Sequence, residues 1–228
     1  MKKNVMMRLA SFLLVAVLIS TSAISGTYAK YVTEANAKDN ARVAKWGVVI
    51  ETAGDMFSDS YKDLKTDYIA DEEKAEITVQ ADTEGTNVVA PGTKGTLASF
   101  NVTGTPEVDV EVTYKADLTL EGWKVDGNEY CPIIFTVGTN TYKIGDAGIA
   151  YVSDLVKAVE DAIVDAYAYY HTNTNLAEVS DDLIVSWEWP YYVDEATDVK
   201  DTALGDAAAA GNAATIALDV TITVTQVD

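Results

Sequence analysis

The sequence predicts a mainly β protein: an antiparallel β-sandwich of jelly-roll type with one inserted amphipathic helix at about residues 151–170. Three observations carry that expectation. Val108, Val110, Val112, Tyr114, Ala116, Leu118 and Leu120 alternate with Asp109, Glu111, Thr113, Lys115, Asp117, Thr119 and Glu121, the period-two pattern of a strand with one buried and one wet face. Shorter runs of the same kind recur between turns rich in Pro and Gly. The apolar spacing changes to three, four and seven only at Val152, Leu155, Val156, Val159, Ile163 and Tyr167, which places a helix over Tyr151 to Tyr170.

Residues 1–29 read as a signal peptide. Lys2, Lys3 and Arg8 precede a nearly unbroken apolar run from Leu9 to Ile19, and small or polar residues lead to Thr27-Tyr28-Ala29. A signal peptidase accepts small side chains one and three positions before its cut, which places cleavage between Ala29 and Lys30. The apolar run is short of the roughly 20 residues a membrane-spanning helix needs, which argues against a retained anchor. Residues 30–43 are polar and alanine-rich and form an N-terminal segment, and residues 44–228 form the domain.

Of 16 basic and 36 acidic residues, three basic and no acidic ones lie in the leader, so the processed chain carries a net charge of −23. Such a field repels nucleic acid and anionic membrane surfaces, so neither is an expected partner after processing. Cys131 is the single cysteine, which rules out an intrachain disulfide. Beside Pro132-Ile133-Ile134-Phe135 it reads as a small buried apolar residue.

Taken in order, Ala44, Trp46, Val48 and Ile50 alternate with Lys45, Gly47, Val49 and Glu51 and suit a first strand. Asp55 to Glu73 is charged and reads as a loop, followed by a short strand at Glu76 to Ala81. Pro91-Gly92 makes a turn into the strand Thr96 to Val102. The long alternating strand follows, its length suggesting a bulge or bend. Asp126-Gly127 signals a hairpin, and Gly138-Thr139-Asn140 a second reversal. After the helix, Leu183 to Trp189 forms a strand closed by Pro190, with Val185, Trp187 and Trp189 on one face. Asp194 to Gly211 reads as a long acidic, alanine-rich loop with at most one helical turn. Ile216, Leu218, Val220, Ile222 and Val224 mark one face of the last strand.

Signatures of catalysis are missing. His171, expected at a helix C-terminus, is the only histidine, so no His-Glu-x-x-His zinc pattern exists. No serine sits in a Gly-x-Ser-x-Gly turn, and no phosphate-binding glycine loop occurs. With 36 acidic residues, a pair at glycosidase spacing is expected by chance. No catalytic residue is assigned, and a non-enzyme is expected. Asp194, Asp198 and Asp201 are weak candidates for calcium, in a run that lacks the central Gly and closing Glu of an EF-hand loop. A solvated acidic loop is the simpler reading, and no other cofactor is implied. Trp123, Trp187 and Trp189 suit a core better than a sugar-binding platform.

Gly26-Thr27-Tyr28-Ala29 followed by Tyr31, then Asp39-Asn40-Ala41-Arg42-Val43-Ala44 leading into a strand, resembles the TasA/camelysin family of exported matrix proteins of Gram-positive bacteria. Pro91-Gly92-Thr93-Lys94 is similar to that family's Pro-Gly turn, and Thr221 to Gln226 to its C-terminal strand. The resemblance implies a dedicated signal peptidase, a jelly-roll domain, and self-assembly into extracellular biofilm-matrix fibres. It also implies that the freed N-terminus of one subunit completes the sheet of the next by strand addition. The donor would lie within Lys30 to Ile50, with Tyr31, Val32, Ala35, Ala37, Ala41, Val43 and Ala44 entering the acceptor groove. Two other readings stand beside it: a monomeric cell-surface module for carbohydrate or a host protein, and a camelysin-like secreted peptidase, for which the necessary histidines are missing.

Overall fold

A computed structural model of the protein describes residues 42–52, 56–65, 76–180 and 183–227. Ala44–Asp228 is one compact unit, distinct from Met1–Val43. It is mainly β, and every strand pairing within it is antiparallel.

A five-stranded sheet runs in the order β1 (Val48–Thr52), β4 (Lys94–Gly104), β11 (Leu183–Glu188), β8 (Ile134–Val137), β9 (Asn140–Tyr142). A three-stranded sheet has the order β10 (Ala168–Tyr170), β5 (Val110–Glu121), β12 (Thr215–Gln226). Two hairpins complete the strands: β2 (Ser60–Lys65) with β3 (Glu76–Gln80), and β6 (Lys124–Val125) with β7 (Asn128–Glu129). The helices among the described residues are α1 (Val152–Val164), α2 (Leu176–Val179) and α3 (Glu195–Ala209).

The alternation expected of β5 is seen directly, with Val110, Val112, Tyr114 and Leu118 buried between less buried or exposed neighbours. These side chains meet Phe100 and Val102 of β4, Phe135 of β8, and Val185 and Trp187 of β11 in a single core. The Phe100 and Tyr114 rings cross edge-on at 6.4 Å between the two sheets. Cys131 is buried in the same core, as expected.

Gly95 makes the centre of this packing possible. The Trp187 indole N–H donates to the Met56 carbonyl at 2.8 Å, and a Cβ on Gly95 would lie 2.0 Å from that oxygen and 2.6 Å from Trp187 Nε1. The Asp126-Gly127 signal also holds. Both residues have positive φ, 51° and 78°, and they join β6 to β7 in the two-residue geometry that matches strand twist.

Several expectations need correction. The first strand begins at Val48 rather than Ala44, because Gly47 takes φ 59° and breaks the extended run. The charged stretch after Asp55 contains β2, whose pairing with β3 supplies the order that its composition does not announce. No bulge interrupts β5, which stays in register with β12 over all twelve residues of β12.

The helical region is also divided differently. α1 ends at Val164, and Ala168, Tyr169 and Tyr170 pair with Val112, Glu111 and Val110. Two tyrosines fit a pleated surface better than a helix end that has no basic residue in its last turn. The second long helix, α3, occupies the span expected to be a loop. Asp194 caps it by accepting from the Thr197 amide at 2.7 Å, and Glu195 and Asp198 sit at the positive end of its dipole. Its low amphipathicity, with Leu204 its one buried residue, hid it from a periodicity reading.

Candidate functional site

The three-stranded sheet treats its two edges differently. On one side of β5, β10 pairs with Val110 to Val112. Beyond it, the Leu118 amide donates to the Glu160 carboxylate of α1 at 2.8 Å, so that edge is closed by a strand and a helix. On the other side lies β12, and no strand among the described residues pairs with its outer edge.

The register says which backbone groups face outward. The Val227 amide donates to the Asp109 carbonyl at 2.9 Å, continuing the pairing of Gln226 with Val110. In an antiparallel ladder, residues bonded to the partner strand alternate with residues whose N–H and C=O point away. The odd-numbered residues of β12 therefore bond β5. Ile216, Leu218, Val220, Ile222, Val224 and Gln226 present their backbone donors and acceptors at the open edge. Leu118 confirms the parity: it is an even-numbered residue of β5, and its amide points away from β12, toward Glu160.

Edge strands of soluble proteins are usually blunted by Lys, Pro, bulges or short length. β12 has none of these. It runs twelve residues in unbroken register, and its only charge is Asp219. Its inward-facing Ile216, Leu218, Val220, Ile222 and Val224 are only half-buried, so the apolar face beside the open edge is incompletely covered. The other edges are shorter: five residues in β1, three in β9 and three in β10.

The residues singled out from the sequence are placed as follows. Ala29, Lys30, Tyr31, Val32, Ala35, Ala37 and Ala41 lie outside the described residues. Val43 and Ala44 are exposed and belong to no strand. Lys45 is held firmly, since its amide donates to Glu107 Oε2 and its carbonyl accepts from the Glu107 amide, both at 2.9 Å.

The calcium candidates do not converge. Asp194, Asp198 and Asp201 lie along α3 rather than in a loop, and no group of three potential metal ligands is gathered among the described residues. Asp194 is engaged as the helix cap. Hydrogen bonds from the Thr197 amide and hydroxyl hold its carboxyl below the usual aspartate range. Asp201 instead accepts from the Tyr130 hydroxyl at 2.6 Å. Burial pushes its pKa up, against the opposing pull of that hydrogen bond.

The three tryptophans considered for a sugar platform, Trp123, Trp187 and Trp189, are core residues at 2%, 2% and 5% exposure, so they form no such platform. His171 is not a cap. It follows β10, 3.7 Å from the Asp109 carboxylate and edge-on to the Tyr169 ring. Asp109 accepts from the Tyr169 hydroxyl and the Thr172 amide, which hold its pKa low. Cys131 has its thiol pushed up to about 12 by burial, so no thiolate is available there at neutral pH.

Two features escaped the sequence reading. Glu160 carries no local signal that sets it apart from the other polar residues of α1, and only the fold brings it to an unpaired strand amide. The Tyr130–Asp201 bond joins residues 71 apart, and no local pattern encodes it. No helix among the described residues is long and apolar enough to cross a membrane. Comparison with known proteins finds no family model, no curated protein and no solved structure that matches the chain.

Proposed function

We propose that this chain is a secreted structural subunit that polymerises by strand addition, its processed N-terminal segment pairing with the open β12 edge of a neighbouring copy. The observation that carries the reading is the twelve-residue β12 edge, with outward backbone groups at every second residue and neither Lys nor Pro to discourage pairing.

The segment suits the role by its own pattern. Taken as extended, Lys30 to Val43 puts Tyr31, Thr33, Ala35, Ala37, Asp39, Ala41 and Val43 on one face, with Lys30, Val32, Glu34, Lys38 and Arg42 on the other. Small side chains can lie over the half-buried β12 face without forcing the sheets apart. The segment's three basic residues outnumber its two acidic ones, in a chain that is otherwise strongly acidic, so charge favours its docking. The open edge would promote aggregation inside a cell, and tethering the donor to a leader until export delays pairing.

On this proposal the fold is of jelly-roll type, the assembly is an extracellular fibre of a biofilm matrix or cell surface, and the partners are a signal peptidase and other copies of the chain. The resemblance to the TasA/camelysin family at Gly26 to Tyr31 and Asp39 to Ala44 supports the same reading. The test is electron microscopy of the processed chain beginning at Lys30, beside a chain beginning at Ala44. The first is expected to form fibres and the second to stay monomeric. Adding a peptide of residues 30–43 should raise the melting temperature of the second by mass action on its folded state. Fibres from the chain beginning at Ala44 at the normal rate would exclude the N-terminal donor.

A further inference from the structure

A cavity of about 500 Å³ opens between α3, the segment before β4 and the start of β12. Its walls are mainly apolar, with Trp123, Trp189, Pro91, Leu204 and Ile216 among them, and Asp201 is the one carboxylate among the described residues that line it. Its size falls in the range of sites for small organic molecules, which bury an apolar body and orient it by a few polar groups.

Three details give it a chemical preference. First, no Lys or Arg pairs with Asp201 among the described residues; its carboxylate accepts from the Tyr130 hydroxyl. The adjacent Lys200 ammonium lies over the Tyr130 ring, 5.1 Å from its centroid. Second, the Trp189 indole N–H is buried without a hydrogen bond; it lies near the Asp201 carboxylate but does not reach bonding geometry. Trp123 and Trp189 stand edge-on at 5.5 Å and both line the cavity, so the wall that carries Asp201 is otherwise largely aromatic and aliphatic. Third, Gly205 lies within α3 on the cavity wall, and a Cβ there would meet nothing within 4 Å. Glycine is the poorest ordinary residue for a helix interior. No packing contact requires it at this position, yet it keeps the space open.

We infer that this cavity binds a compact organic ammonium, its charged nitrogen on Asp201 and its aromatic or branched aliphatic body against the wall that the packed Trp123–Trp189 pair, Leu204 and Ile216 form. The net charge of −20 over the whole sequence favours the approach of cations. The inference stands apart from strand addition and does not depend on fibre formation.

The experiment titrates the processed chain with 2-phenylethylamine and with its neutral isostere 2-phenylethanol, reading tryptophan fluorescence and the thermal midpoint. The amine is expected to saturate and to bind at least tenfold more tightly than the alcohol. Asp201→Asn, which keeps an acceptor for Tyr130, should erase that preference while leaving the alcohol's affinity unchanged. Gly205→Leu should fill the space and weaken both ligands. A peptide beginning Lys-Tyr-Val, with a free or an acetylated amino group, distinguishes a small amine from a chain terminus as the natural carrier. The tighter of the two ammonium ligands identifies it. Equal binding of amine and alcohol, no saturation by any ligand, or an amine preference that survives Asp201→Asn would overturn the inference. If Asp201→Asn fails to fold, undiminished amine binding by Gly205→Leu overturns it equally.

Discussion

Proline scanning of β12 separates the edge from the ladder by a single residue. In Val220→Pro the lost N–H is one that points away from β5, so every β5–β12 hydrogen bond survives. Val220 is half-buried, and replacing it with a ring of similar apolar size costs about 1 kcal/mol at most, below the ~1.5–3 kcal/mol that full exposure of a buried apolar side chain costs. For a chain of this size that is a drop in melting temperature of about 2–4 °C. In Thr221→Pro the lost N–H faces Lys115 across the ladder. Leaving that carbonyl unpaired costs about 1–3 kcal/mol before any clash of the ring with β5.

Assembly should rank the two variants the other way. A proline ring on the open edge removes a donor and holds an incoming strand off at its neighbours. At about 3 kcal/mol that raises the concentration needed for fibres by roughly a hundredfold. Thermal melts and a pelleting assay across concentration read both quantities. Normal assembly of Val220→Pro would refute use of this edge. A melt far below that of Thr221→Pro would refute the parity assignment.

Three further outcomes are expected. Gly95→Ala should destabilise the fold by about 1–3 kcal/mol in denaturant unfolding, because the new methyl displaces the Met56 carbonyl or the Trp187 indole bonded to it. Glu160→Ala should cost about 1–3 kcal/mol by stranding the Leu118 amide, with Glu160→Gln restoring most of it, as seen in melts of the two variants side by side. Asp201→Asn should melt above the parent at pH 7. Burial raises the Asp201 pKa, so the cost of ionising it in the fold is present above the folded pKa and vanishes below the unfolded value near 3.8, where the two melts should converge.

Where apolar and polar residues alternate or recur at helical spacing, the sequence was legible. β5, β11 and β12 each bury one face against a wet one, and Asp126-Gly127 needs positive φ, so these elements were named from local chemistry. α1 was visible for the same reason, although its end was not, since Tyr169 and Tyr170 answer to Glu111 and Val110 some 60 residues earlier. α3 was invisible because it buries only Leu204; its capping signal, Asp194 with Thr197 three residues on, was read as loop acidity. The open edge follows from strand order, which no periodicity records. The last strand was named correctly, but its place outside β5 rather than between two partners is a tertiary fact.

Amide hydrogen exchange resolved by residue, in the monomer and in assembled material, tests the strand-addition account most directly. In the monomer the amides of Ile216, Leu218, Val220, Ile222 and Val224 should exchange fast, while those of Ala217, Asp219, Thr221 and Thr223, bonded to β5, stay protected. In assembled protein the even-numbered amides should become protected as well, by roughly a hundredfold or more. Even-numbered amides that exchange in fibres as fast as in the monomer would contradict the account.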